Sequence, residues 1–384
     1  MVLEDVCELI ADCPHTTAPD EGKGYPLIRT PNVGKGRLLL EGVHRVSKDI
    51  YDKRNMRAIP QKDDIIFARE APAGNAALIR EGQEVCLGQR TVLIRPDCEK
   101  VFPEYLVYYL LAPEQQYKLL GTANGATVAH VNLPVIRKMP IELPDIDVQQ
   151  KIAGYISIYD DLIENNQRQI KLLEEAAQRL YKEWFVDLRF PGYENCKIVD
   201  GIPEKWERKK LVDIVDVQYG YAFDGSKFNS VGKGTPIIRI RNIPDGNTAD
   251  FTTEEAEEKY VISNGEILVG MDGEFHINSW SGKDAFLVQR TCCFRPRKRE
   301  MKGWLLRAIY EPIKFYEKTV VGATVSHLGK KHIDSIELLT GPEQLYIPFQ
   351  NYFELRQKLL NQNIVLAEAR DRLLPKLMSG EIEV

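Results

Sequence analysis

Residues 22–33 read GKGYPLIRTPNV, and residues 232–243 read GKGTPIIRIRNI. The shared pattern is G-K-G-x-P-[LI]-I-R-x-x-N-[VI], repeated at an offset of 210 residues. Outward from these segments the repetition continues. Gln89-Arg90-Thr91 with Arg95-Pro96 returns as Gln289-Arg290-Thr291 with Arg295-Pro296, 200 residues on. Gly125-Ala126-Thr127-Val128-Ala129-His130-Val131 returns as Gly322-Ala323-Thr324-Val325-Ser326-His327-Leu328, 197 residues on. Leu3-Glu4-Asp5-Val6 resembles Leu211-Val212-Asp213-Ile214. Matches in one order with drifting offsets mean one domain present twice, with loops of different length. Shared strand propensity does not explain the common Q-R-T, G-A-T-V and GKG residues. Solenoid repeats run about 20–50 residues, so this is duplication of a whole domain with a connector.

Within each copy, short β-branched runs bounded by Gly, Pro, Asn and Asp predict strands. They are PLIRT, DIIFAR and TVLIRP in the first copy, and PIIRI, EILVGM and TCCFRP in the second. Residues 104–120 and 302–318 predict helices. A long helix closes each copy. Residues 148–184 hold no Pro and are dense in good helix formers. Apolar positions recur at Ile152, Ile156, Tyr159, Ile163, Ile170, Leu173, Ala177, Leu180 and Trp184, with Asn166 in the gap. Alternating steps of three and four make a heptad seam. The second copy offers Tyr352, Leu355, Leu359, Leu366, Ala369, Leu373 and Leu377, with Gln362 in the gap. At an offset of 196 the seams coincide. The expected fold class is α+β: two duplicated mixed α/β domains, each followed by a long helix. The expected boundaries are 1–146 and 205–343 for the domains, 147–186 and 344–384 for the helices, and 187–204 for the linker. Two similar domains are most simply related by a pseudo-two-fold axis. That makes the helices an antiparallel coiled coil, with Asn166 facing Gln362 at the crossing. The plainer alternative leaves both amides in solvent.

Composition excludes several classes. The chain has 384 residues, 43% hydrophobic, too long for one ordinary core and too apolar for disorder. No apolar run of about 18 residues predicts a membrane span. The acidic start, MVLEDVCELIADCPH, lacks a signal peptide's pattern, so a cytoplasmic location is expected. Seven scattered cysteines without a C-x-x-C pair argue against a disulfide framework or a zinc site. The net charge of −5 means that nucleic-acid binding must rest on local basic surfaces or on a basic partner.

No reaction centre emerges. The chain has no G-x-x-x-x-G-K-[ST] phosphate loop, no G-x-G-x-x-G after a strand, no His-Glu-x-x-His and no G-x-S-x-G. It also lacks the Asn-Pro-Pro-aromatic tetrapeptide of amino-methyltransferases. Pro244-Asp245 with Glu257-Glu258-Lys259 fits a loose magnesium-nuclease pattern. That pattern is permissive, the segment reads equally as a solvated acidic face, and it has no counterpart in the first copy. No catalytic residue, metal site or bound cofactor is expected.

The remaining candidates are polar residues of the repeat. Arg29, Asn32, Gln89 and Arg90 return as Arg239, Asn242, Gln289 and Arg290. Such side chains can read guanine and adenine edges. His130 and His327 sit in the repeated G-A-T-V-x-H segments, and Lys23 and Lys233 lie between glycines. Arg69 opens the first copy's stretch 69–86. Basic runs at 205–210 and 295–302 suit phosphate contacts. Against this, residues identical in two diverged copies often hold the shared fold. Base readers are then expected where the copies differ: 35–58 and 69–86, then 218–230 and 271–286.

Two diverged domains, each with a matched long helix, resemble the specificity subunit of type I restriction–modification systems. The wording agrees in the G-A-T-V-x-H segments, in Leu180-Tyr181-Lys182-Glu183-Trp184-Phe185, in Pro203-Glu204-Lys205-Trp206, and in the ending Leu373-Leu374-Pro375-Lys376-Leu377-Met378-Ser379-Gly380-Glu381-Ile382. One departure is the first copy's start at Leu3 without a Pro-x-x-Trp lead-in. The resemblance implies two target recognition domains, each reading half of a split double-stranded DNA site, with the helices as spacer. It implies two modification subunits carrying S-adenosylmethionine and adenine methylation, and restriction subunits adding ATP- and Mg-dependent translocation and cleavage. A non-catalytic protein-binding scaffold is the alternative from another class, and a magnesium nuclease a third.

Overall fold

The central strands of each copy are apolar at every position, because both of their faces are covered. In the first copy Ile65–Ala68 pairs antiparallel with Thr91–Pro96, which pairs antiparallel with Cys7–Asp12. Side chains alternate across a strand. Ile65, Phe67, Val92 and Ile94 therefore enter one core, while Ile66, Ala68 and Leu93 enter another on the opposite face. Each such side chain contributes about 1.5–3 kcal/mol when fully buried. The second copy repeats the device. Ile267, Val269, Cys292 and Phe294 face one core, and Leu268 and Cys293 the other. The adjacent cysteines are thus wall-to-wall core residues, and burial pushes both thiols up.

The computed structural model describes residues 1–121, 130–319 and 326–384. The chain divides into two units: Met1–Leu162 with Leu366–Val384, and Ile163–Val365. Four helices matter below: α1 (Pro103–Leu111), α2 (Ile146–Tyr181), α3 (Lys302–Ala308) and α4 (Ile347–Met378). Unit 1 has a five-stranded sheet, with Ala76–Leu78 and Gly36–Arg37 completing the three strands above. A second sheet is built on Tyr25–Ile28, antiparallel to Arg45–Val46 and parallel to Cys86–Leu87. Unit 2 carries a corresponding pair of sheets, the second centred on Thr235–Ile238 and Ala285–Leu287.

The segment 104–120, expected as one helix, is two. α1 ends at Leu111 and a second helix starts at Pro113. Proline lacks an N–H and pushes the preceding residue out of the helical region, and Ala112 accordingly has ψ 140°. α1 and α3 correspond at an offset of 199. Tyr105, Leu106 and Leu110 match Trp304, Leu305 and Ile309, all at most 1% exposed. That alignment sets Tyr108 against Arg307 and Glu104 against Gly303.

The long helices supply one wall of each core. In unit 1, Ile152, Ala153 and Ile156 of α2 share the core with Leu374 and Leu377 of α4. In unit 2, Asn166 Nδ2 donates to Asn363 Oδ1 at 2.9 Å, and Arg356 Nε to Glu174 Oε1 at 2.6 Å. Numbers rise along α2 as they fall along α4, so the segments run antiparallel. This corrects the expected partner of Asn166, which is Asn363. Gln362 is exposed, as is Leu355. The seam of α4 runs one residue later than the hydrophobic pattern implied. At an offset of 197, Gln149, Ile152, Ile156, Asp160 and Ala177 match Tyr346, Phe349, Phe353, Gln357 and Leu374, all buried. Asn166 and Asn363 are then equivalent positions that meet, as a pseudo-two-fold crossing requires.

Candidate nucleic-acid interface

The repeated polar residues separate into those that hold the fold and those that make a surface. Asn32 Oδ1 accepts the backbone N–H of Arg29 at 3.2 Å, and Asn242 Oδ1 that of Arg239 at 2.9 Å. Both cap a short turn, and the Asn32 amide also donates to the Leu39 carbonyl. The asparagines expected to read adenine are thereby committed to backbone. Arg29 is half-buried with its Nε in the interior, and the Arg239 guanidinium lies 5.8 Å from the Phe228 ring. The second glycine of each G-K-G motif has positive φ, +98° at Gly24 and +85° at Gly234. A Cβ there would meet the Val46 or Thr252 carbonyl oxygen at 2.3 or 2.0 Å. The motif is therefore a close backbone approach, and Lys23 and Lys233 extend into solvent beside it.

Arg95 makes a two-pronged pair with Asp64, both contacts at 2.8 Å. Arg295 does the same with Glu266. Each arginine also reaches a backbone carbonyl, Ile59 or Val261, at 2.9 Å. Thr91 and Thr291, fully buried, return their hydroxyls to the carbonyls of Gly88 and Val288. The basic run at 295–302 is largely neutralised in place. Arg297 pairs with Asp216 and Lys298 with Glu343. Gln89 donates to the His15 carbonyl at 2.8 Å, while Gln289 is exposed.

What remains is one cluster per unit. Arg90 and Arg290 occupy the left-handed region, φ 65° and 71°, at the tip of the Q-R-T turn. Each guanidinium is more than half exposed and touches one carboxylate at 2.9 Å, Glu70 in unit 1 and Asp272 in unit 2. The same carboxylate receives Nδ1 of the repeated histidine, His130 or His327. Backbone bonds build the cluster identically. Arg69 N–H donates to the Arg90 carbonyl and Val131 N–H to the Arg69 carbonyl; Met271, Arg290 and Leu328 repeat this. Arg69 is an addition in unit 1. Its Nη2 donates to His130 Nε2 at 2.9 Å and its Nη1 to Asp12 at 3.1 Å. Since a guanidinium has no acceptor, His130 Nε2 must accept, which places the imidazole proton on Nδ1 toward Glu70. Met271 in the corresponding place offers no such donor.

The acids were missing from the residues proposed above. The signal was present: DIIFARE and EILVGMD, aligned at an offset of 202, set Glu70 against Asp272. Lys23, Arg29, Asn32, Lys233, Arg239 and Asn242 have no bond to either cluster. Residues 125–129 and 322–325 of the G-A-T-V motifs lie outside the described residues. The nuclease pattern is not assembled. Lys259 is taken by Glu257, and among the described residues no three His, Cys, Asp or Glu side chains gather to hold a metal.

A family profile described as "Type I restriction modification DNA specificity domain" matches residues 1–175 and 203–342. The chain belongs to this family. The duplicated domains are its two target recognition domains, and the chain is a specificity subunit of a type I restriction–modification system. Among curated relatives, the type I restriction enzyme MjaIX specificity subunit of Methanocaldococcus jannaschii is 26% identical, covering 89% of this chain and 83% of the relative. The HindI specificity subunit of Haemophilus influenzae is 23% identical, covering 84% and 87%. In fold, the chain resembles the crystal structure of the type I restriction–modification system S subunit from M. genitalium. The TM-score is 0.54 and the identity 16%, over 98% of this chain and 95% of that one. In a specificity subunit, an exposed arginine and imidazole bridged by one acid form a fixed donor pair. Their identity across two diverged domains suits something that every duplex shares.

Proposed function

We propose that this subunit reads a bipartite double-stranded DNA site, one half through each target recognition domain, and directs adenine methylation and cleavage by partner subunits. The observation that carries the reading is a shared framework bearing one cluster twice. Arg90 with His130, and Arg290 with His327, contact phosphate, which carries no sequence information. The base readers lie where the copies differ. The domains span 1–146 and 205–343, with the helices 147–186 and 344–384 as spacer.

Two modification subunits dock on the helices, and restriction subunits join them in the cytoplasm. Tyr155, Ile158 and Leu162, spaced three and four along α2, are 45–57% exposed and support a protein partner. No helix of the described residues is long and apolar enough to cross a membrane. S-adenosylmethionine, ATP and Mg belong to the partners, and the chain has no reaction centre of its own.

The test is selection from randomised duplex DNA by the chain with its modification subunit. A split motif is the expected result, and loss of enrichment for any sequence refutes the reading. Methylation or magnesium-dependent cutting by the pure chain refutes its catalytic silence.

A further inference from the structure

Unit 2 contains a cleft of about 720 Å³ between the end of α2 and the end of α3. Its lining is mostly apolar, with Tyr181, Val186 and Tyr310 among the walls. Val186 and Tyr310 are 60% and 43% exposed, which is high for side chains of their kind. Three cations border the same space, and two of them are answered. Arg179 pairs with Glu175, and Lys182 with Asp187. Arg307 is not answered. Among the described residues it has no hydrogen bond or ion pair, although burial pushes its guanidinium down from the ordinary value. Glu174, the nearest acid acting on it, is committed to Arg356 at 2.6 Å. Two arginines thus share one carboxylate in a desolvated setting, which leaves a surplus positive charge. A desolvated charge is costly until it is paired.

The corresponding position in unit 1 is closed. There Tyr108 donates its hydroxyl to Asp160 at 2.8 Å, and Asp160 also receives Arg370 at 2.6 Å. The opening in unit 2 is therefore a departure from the shared framework rather than a consequence of it.

We infer that this cleft receives a carboxylate side chain flanked by apolar residues, presented by the modification subunit that docks on unit 2, with Arg307 as its ionic anchor. This rests on the assembly reading above. Charge complementarity selects the carboxylate, and the tyrosine and valine walls select its apolar neighbours. DNA fits less well, because Glu175 and Glu311 at the same cleft repel a polyanion. The occupant is bound once per chain, so the two modification subunits bind unequally.

The experiment is a titration of the full-length chain with purified modification subunit, followed by calorimetry and sedimentation. Two binding steps are expected for the wild type. Arg307→Met weakens one step by about tenfold or more and leaves the other unchanged. Val186→Asp, at the mouth, weakens the same step without touching Arg307, and thermal melting checks that both variants fold. If both variants bind two copies as the wild type does, the cleft inference is wrong while the assembly reading stands. If the wild type binds no modification subunit, the assembly reading itself fails. Loss of DNA affinity in Arg307→Met with unchanged partner binding makes the cleft a phosphate contact and overturns the proposal.

Discussion

In unit 1, Asp160 is 2% exposed and gathers Tyr108 and Arg370, with Arg37 at 4.0 Å. In unit 2 its counterpart Gln357 turns elsewhere, to Ser279, the Trp280 carbonyl and Ser281. Arg356 beside it donates to Asn278 and Ser279. Both units fasten a long helix to a recognition domain through a buried polar network, but only unit 1 uses an acid as its centre. The lesson is that duplication preserves the need for a fastening and not its chemistry. Once unit 2 solved the problem with Gln357 and Arg356, position 307 was released from the fastening and could carry an unmatched charge.

The largest effect should come from the centre of the unit 1 network. Asp160→Ala strands two cations and a hydroxyl in the interior. A loss of about 3–5 kcal/mol is expected, as for breaking a buried pair from one side. Chemical denaturation should show it, and a loss below about 1 kcal/mol would mean that water replaces the carboxylate.

Gly303 and its counterpart Glu104 sharpen the comparison at the next level. A Cβ at Gly303 would stand 2.1 Å from the Phe349 carbonyl, so α3 approaches α4 through a gap only glycine leaves. Gly303→Ala should cost about 1–3 kcal/mol by overpacking, whereas Glu104→Ala should not overpack. Equal melting temperatures for wild type and Gly303→Ala would show that α3 simply shifts.

The helix crossing tests whether the pseudo-two-fold register is held by the amides. Asn166→Ala leaves Asn363 without its partner and should cost about 1–3 kcal/mol. Replacing both by leucine should recover most of that, because an apolar pair leaves no orphan donor. A double-mutant cycle showing no coupling would reject the amide pair as the register device.

The clusters should behave alike if they meet phosphate. Arg90→Ala and Arg290→Ala are each expected to lower the slope of log affinity against log salt by about 0.9. Each should weaken binding evenly across sequences. A changed preference at one half-site would make that arginine a base reader instead.

The smallest effect concerns Glu104 again. Burial, opposed by Arg80, holds its carboxyl above the usual range. The folded state therefore retains this proton more tightly than the unfolded chain, and stability falls as pH rises from about 4.3 through the folded value. Glu104→Gln should raise the melting temperature at roughly pH 7 and leave it unchanged well below about pH 4. A gain of the same size at both pH values would point to packing rather than charge.

Sequence by itself determined the duplication, the α+β class, the central strands and both long helices. These follow from local rules: alternation across a strand, three- and four-residue steps along a helix, and repeated words that chance does not produce. The reading stopped where one pattern admits two partners. Leu355 and Gln362 fit the heptad as well as Arg356 and Asn363 do. Only the presence of Glu174 and Asn166 on the facing helix decided for the polar residues. The repeated arginines show the same limit. Arg95 and Arg90 look alike along the chain, yet Asp64 buries the first into the fold and the Q-R-T turn carries the second into solvent. Whether a charged side chain is a strut or a contact depends on which acid lies within reach. That acid was 31 residues away for Arg95, brought close only by the sheet.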